Sequence, residues 1–234
     1  MSIAENIHDV QQRIAAAARS AGRPADSVAL MAVTKTWGPE AIMAAYDAGL
    51  RLFGENRVQE FAGKVDAMRH LSGAEWHMIG HLQSNKASKA AELFSGIDSL
   101  DSLHLAEKLN GAGAKLNRRL PVLIEINLGG ESAKTGVAPG SPELESLLQA
   151  GSRMPHLEIR GLMTIPPFTE DLQQARPYFR RLRELRDEIA ARQLSGVGMQ
   201  VLSMGMSHDF EVAIEEGSTC VRVGTAIFGE RSKP

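Results

Sequence analysis

Cysteine is almost missing. Cys220 is the only one among 234 residues, so no internal disulfide can form, and the pattern fits a reducing, cytoplasmic compartment. Cys220 itself sits in the apolar run CVRVG and reads as buried filler. An excess of charge of one sign is missing too. The 26 Lys and Arg against 28 Asp and Glu leave a net −2, which argues against nucleic acid or an anionic membrane as partner. No window comes near the roughly 20 consecutive apolar residues that span a bilayer. The start, MSIAENIHDV, carries acids and no long apolar stretch, unlike a signal peptide. Tyrosine occurs only twice, as Tyr46 and Tyr178, both on helix-like segments where neither suits the role of a base. No HExxH motif or cysteine cluster is present. His77 and His81 share one face of a predicted strand but lack a third ligand, so no metal site is expected.

What is present suits a packed core: 43% apolar and 23% charged residues. A short apolar run ending in a polar or Gly-rich tip, then a helix-like segment, recurs along the chain. The strand candidates are VALMAVTK, RLFGEN, EWHMIGH, GIDSL, PVLIEIN, IRGLMTI, QVLSMGM and CVRVG, eight in all. Helical segments lie between them at Pro39 to Asp47, Val58 to His70, Asn85 to Phe94, Ser102 to Lys115, Pro142 to Arg153, about Asp171 to Gln193, and Asp209 to Glu216. An additional helix precedes the first strand, with Ile3, Ile7, Val10 and Ile14 at helical spacing. Alternating strands and helices mean a parallel sheet, and eight units in this length predict a single (β/α)8 TIM barrel spanning residues 1–234. An open doubly wound sheet is the alternative, but TKTWGPE after the first strand is not its Gly-rich fingerprint. Gly129 to Glu143 is the longest loop-like stretch and is placed to cover a site. The Arg-rich stretch from Arg176 to Arg192 reads as a solvated helix face offset by Glu184, Asp187 and Glu188.

Barrel sites form at the C-terminal ends of the strands. The predicted tips carry Lys35; Glu55, Asn56 and Arg57; His81; Asn127; Met163 and Thr164; Met206 and Ser207; and Arg222 with Gly224 and Thr225. A lysine at a buried strand end either snorkels its head to water or, with its pKa depressed, becomes a nucleophile toward aldehydes. Ser207 and the Gly224-Thr225 pair each sit where a strand hands over to a helix. Alone each is a cap; together, at the last two tips, they form a candidate phosphate cradle of hydroxyls and backbone N–H groups. Arg222 lies two residues before Gly224 in an apolar strand and needs an acceptor, either a carboxylate such as Glu125 or a ring nitrogen on a ligand.

A lysine for an aldehyde, a cradle for a phosphate and an arginine for a ring nitrogen together describe pyridoxal 5'-phosphate (PLP). The segments AVTKT, FGENRVQEF, WHMIGHLQSNK, SAKTGV, RGLMTI and SMGMSHDFEVAIEEGSTCVRVGTAIFG run from Lys35 to Gly229. In them the chain resembles the PLP homeostasis proteins (the YggS/PROSC family), which are related to the N-terminal barrel of alanine racemase. The resemblance implies that Lys35 holds PLP as a Schiff base. It implies that Ser207 and the backbone of Gly224 and Thr225 hold the phosphate, and that Arg222 faces the pyridine nitrogen. Asn56 matches a position near the ring, and His81 and Met206 match pocket positions.

PLP works by drawing a carbanion's electrons into its ring. An arginine at the ring nitrogen favours the unprotonated, weaker sink. Racemases of the related fold add a second domain with a tyrosine base, which has no counterpart expected here. The expectation is a protein that stores, buffers or delivers PLP, to PLP-dependent apoenzymes, with indirect effects on amino-acid and keto-acid pools. A partly open PLP face suits a monomer. The runner-up is an amino-acid racemase or other PLP enzyme of low activity. Solvent deuterium entering Cα of L-alanine at enzyme-like turnover would favour it. A third reading, a class I aldolase-like barrel, needs carboxylates beside the lysine, and only Glu55 is available.

Overall fold

The computed structural model describes residues 1–130 and 135–230. The eight strands close into a parallel barrel in chain order. They are β1 (Ala29–Val33), β2 (Leu52–Glu55), β3 (Glu75–Met78), β4 (Gly96–Leu100), β5 (Leu120–Glu125), β6 (Leu157–Met163), β7 (Val197–Met206) and β8 (Cys220–Val223). Closure is made by β8 against β1, with Met31 opposite Arg222. Both faces of such strands are covered, which is why they read as near-continuous apolar runs.

Side-chain alternation then sorts residues to the two faces. On β2, Phe53 turns out toward the helices and stacks on Trp76 with ring centroids 4.7 Å apart. Phe61 and Phe94 continue that aromatic layer at 4.8 and 4.9 Å. Inside the barrel a small separate cluster of Met31, Val33, Ile79 and Cys220 plugs the middle. The polar strand tips lie beyond that plug.

The helices are α1 (Ile3–Ser20), α2 (Pro39–Asp47), α3 (Val58–Lys64), α4 (Ala87–Leu93), α5 (Leu103–Lys115), α6 (Pro142–Ala150), α7 (Arg176–Ala191), α8 (Phe210–Glu215) and α9 (Thr225–Phe228). The segment from Val58 to His70 is shorter as an α-helix than its pattern suggests, because it tightens into a 3-10 turn over Val65–Met68. Short 3-10 turns also open the segments at Asn85 and Asp171, and Pro177 in the first turn of α7 sets that helix's start. The additional helix α1 opens with a complete capping box, Ser2 with Glu5. It packs between α8 and α2 and against α9, with Asn6 donating to the Ile227 carbonyl at 2.8 Å. The last β/α unit ends in only four helical residues, so α1 fills the outer ring where a longer helix would otherwise lie.

On α7 the buried stripe is Phe179, Leu182, Leu185 and Ile189. Its arginines are not simply solvated: Arg176, Arg180 and Arg183 converge on Glu216, at 3.0, 3.1 and 3.2 Å. Within the loop from Gly129 to Glu143, residues 131–134, which include the first half of the SAKTGV motif, lie outside the described residues. Beyond them Val137 forms a bridge to Ile126, and Ser141 caps α6. Among the described residues, no helix is long and apolar enough to cross a membrane.

Cys220 is buried, and burial first of all pushes its thiol up to about 12. At pH 8 its thiolate fraction is then on the order of 10⁻⁴. The native protein is expected to react with a disulfide reagent far more slowly than the denaturant-unfolded chain, which should titrate one thiol at once.

Candidate functional site

The C-terminal mouth of the barrel opens into a cavity of about 390 Å³, within the usual range for small-molecule pockets. Lys35, Asn56, His81, Met206, Ser207, Arg222, Gly224 and Thr225 all line it. The other predicted tip residues do not. Glu55 follows Phe53 to the outer face, where it is fully buried, accepts from the Thr34 hydroxyl at 2.5 Å and pairs with Lys64 at 2.7 Å. Burial raises its pKa even against Lys64. Met163 is buried away from the cavity, and Thr164 donates to the Ile126 carbonyl at 2.7 Å. Asn127 accepts from the Gly130 N–H at 3.1 Å and shapes the loop. Arg57 lies in a neighbouring groove that shares Asn56 and His81 with the cavity.

Lys35 stands two residues past the end of β1, on a turn closed by the Trp37 N–H donating to the Thr34 carbonyl at 3.1 Å. Two strands away, beyond β8, Ser207 starts the handover from β7 to α8. Gly205, at φ 93°, allows it: a Cβ there would come within 2.6 Å of the Ala213 Cβ, so α8 packs directly on the strand. The Ser207 hydroxyl oxygen accepts from the Gly224 and Ala226 N–H groups at 3.1 and 3.4 Å, which ties the two tips into one cradle. The nearby Asp209 carboxylate is turned back, accepting from the Met206 N–H at 2.6 Å, and burial raises its pKa. Gly80 forms the floor near Asn56, where a Cβ would lie 2.5 Å from the Asn56 carbonyl oxygen.

Arg222 is 3% exposed and points inward. It donates to the Ser203 hydroxyl and the Thr164 carbonyl, both at 2.8 Å. Glu125 is therefore not its ion-pair partner; that carboxylate accepts from Thr135 at 2.8 Å instead. Burial raises the pKa of Glu125 and lowers that of Arg222. His81 is oriented by Asp101 at 3.1 Å. His77 belongs elsewhere. It pairs with Asp98 at 2.8 Å beside a cavity at the opposite mouth, so the two histidines do not share a site. Burial opposes its charge, but Asp98 wins and the pKa of His77 is raised. Among the described residues, no three His, Cys, Asp or Glu are grouped to hold a metal ion.

Sequence reasoning missed Trp37, Thr135, Ile165 and His208 as lining residues, and named Glu125 only as a partner for Arg222. Trp37 had a signal, standing two positions after Lys35, and its ring lies 5.4 Å from that of Phe228. Thr135 and His208 come from loops, and their signal was only that they lie within the SAKTGV and SMGMSHD segments.

A closed parallel barrel with a lysine after its first strand and a hydroxyl-and-amide cradle at its last two tips defines a class, the barrels built like the N-terminal domain of alanine racemase. Residues 5–232 match the family described as alanine racemase, N-terminal domain. The pyridoxal phosphate homeostasis protein of Aquifex aeolicus is 46% identical over 231 residues, 99% of each chain. PipY of Synechococcus elongatus, solved with PLP bound, is 38% identical, with a TM-score of 0.84 over 97% of this chain and 100% of its own. The alanine racemase of Streptomyces coelicolor is alike in fold alone, 19% identical with a TM-score of 0.67 over 94% of this chain and 58% of its own. The chain belongs to the family of the pyridoxal phosphate homeostasis proteins.

Proposed function

We propose that this protein binds PLP in the 390 Å³ cavity, covalently through Lys35 as a Schiff base, and serves PLP homeostasis by storing, buffering or delivering the cofactor. The observation that carries this is the meeting of Lys35, the Ser207–Gly224 cradle and Arg222 in one cavity, in a chain so similar to named homeostasis proteins. The donor set fits the group. The cradle offers hydroxyls and backbone N–H groups, and the Asp209 carboxylate beside it is occupied with the Met206 N–H. Ser207, Gly224 and Thr225 would hold the phosphate, while Asn56, His81 and Met206 would border the ring. Arg222 would supply a hydrogen bond to the ring nitrogen, from a guanidinium that Ser203 and Thr164 already hold in place.

Bound PLP supplies an electrophilic aldehyde and an electron-accepting ring. With an arginine rather than a carboxylate at the nitrogen, the ring is a weak sink, which favours holding over turnover. Tyr46 is not available as a base: its hydroxyl donates to the Ser72 carbonyl at 2.7 Å, far from the cavity lining. We further propose that the whole chain acts as one PLP-binding domain, monomeric and cytoplasmic, with PLP-dependent apoenzymes as recipients. The purified protein is expected to show a visible absorbance band that borohydride bleaches, with the reduced adduct mapping by mass spectrometry to the peptide containing Lys35. An adduct on another lysine, or none, overturns the covalent assignment.

A further inference from the structure

The turn that carries Lys35 is strained and is braced from outside the barrel. Thr36 has φ 69°, a left-handed conformation that a β-branched residue rarely adopts. In a turn closed from its first to its fourth residue, a positive φ at the third position ordinarily takes Gly or Asn. Such strain costs on the order of 1–3 kcal/mol and persists only where the surroundings over-determine it.

Here they do, and the groups responsible come from α3 and the outer face of β2. The Lys64 ammonium donates to the carbonyls at both ends of the turn, Thr34 at 3.0 Å and Trp37 at 3.2 Å. Glu60, one helical turn before Lys64, accepts from the Thr36 N–H at 2.5 Å and from Lys64 at 3.2 Å. Glu55 anchors the assembly by pairing with Lys64 at 2.7 Å and accepting from the Thr34 hydroxyl. The Lys64 side chain is only 10% exposed. None of Glu55, Glu60 and Lys64 lines the cavity, so none is in reach of a bound cofactor.

We propose that Lys64, together with Glu60, is a positioning residue of the PLP site: it locks the Thr34–Trp37 turn and so sets the direction from which the Lys35 amine enters the cavity. The inference rests on the reading that Lys35 carries PLP. Its physical basis is that a reacting amine must be held within about 0.5 Å of its productive place, and a four-carbon side chain on a loose turn is not.

The test uses the full chain loaded with PLP, in the variants Lys64→Met and Glu60→Ala, each with and without Thr36→Gly. The rate of PLP loss to excess hydroxylamine, the pH titration of the visible band and the melting temperature of the PLP-free protein are measured. Glu60→Ala should release PLP about tenfold faster, roughly 1.4 kcal/mol, and shift the titration of the band. Lys64→Met should do more in the same direction. Thr36→Gly should recover part of the loss in both, since glycine takes the left-handed conformation without strain. In PLP-free protein, hydrogen exchange at Thr36 should rise in both single variants.

Lys64→Met also strips the partner from buried Glu55. If it does not fold, Glu60→Ala decides, because that side chain is partly exposed. Variants that melt lower but keep the wild-type release rate and band titration would show a purely structural role and overturn the proposal. Absence of any recovery with Thr36→Gly would overturn it too. Mapping the borohydride adduct in the wild type separates this from failure of the Lys35 assignment itself, which would place the adduct on another residue.

Discussion

Lys35→Ala is expected to abolish the visible band that the protein acquires with PLP, and to leave borohydride nothing to fix in that peptide. Among the described residues that line the cavity, Lys35 is the one lysine. Lys64, whose amine touches that turn, is committed behind it to Thr34, Trp37, Glu55 and Glu60. The cradle at Ser207 and Gly224 is intact in the variant, so residual binding through the phosphate is expected, weaker by at least about a hundredfold, or roughly 2.7 kcal/mol. Equilibrium dialysis with absorbance and phosphate analysis separates the two components. A band that survives dialysis in Lys35→Ala would mean that the covalent bond is made elsewhere.

Glu216→Gln is expected to give the largest loss of stability that leaves the cavity untouched. Its carboxylate is almost fully buried at the end of α8 and receives Arg176, Arg180 and Arg183 from α7. Burial works against its charge, but the arginines' hydrogen bonds and charges prevail and its pKa is lowered. Removing one partner from a buried ion cluster costs about 3–5 kcal/mol. The arginines here are a quarter to a half exposed, so the low end applies, about 3 kcal/mol. For a chain of this size that is roughly 6–12 °C in melting temperature. The sign with pH follows from the lowered pKa. The contribution of Glu216 is fully present above its unfolded-state pKa and is lost as pH falls through the folded value. The gap between wild type and Glu216→Gln should therefore be widest near neutrality and close in acid. Melting curves from pH 7 down to pH 3 check this; a gap that widens in acid would contradict it.

The two variants probe different parts of the molecule, and those parts were not equally readable. The eight strands, the helices between them and the helix before them were legible because each rests on a local pattern, a short apolar run with a polar tip for a strand buried on both faces and a period of 3.6 for a helix. Lys35, Asn56, Ser207 and Arg222 could be placed at tips because strand ends in a barrel face one mouth. Glu55 was placed at the same mouth, although its neighbour Asn56 already implied the opposite face by alternation.

The amino-acid sequence by itself thus determined the barrel, its additional helix and the set of eight residues that meet in one cavity. Only the tertiary structure decided their partners. It gave Arg222 to Ser203 and Thr164 rather than Glu125, separated His77 from His81, and drew three arginines of α7 onto Glu216. It also set Lys64 behind the turn of Lys35. The reason is physical: a period is written in neighbouring residues, whereas a hydrogen bond between residues 58 positions apart, as from Arg222 to Thr164, depends on which strands close the barrel side by side and in what register.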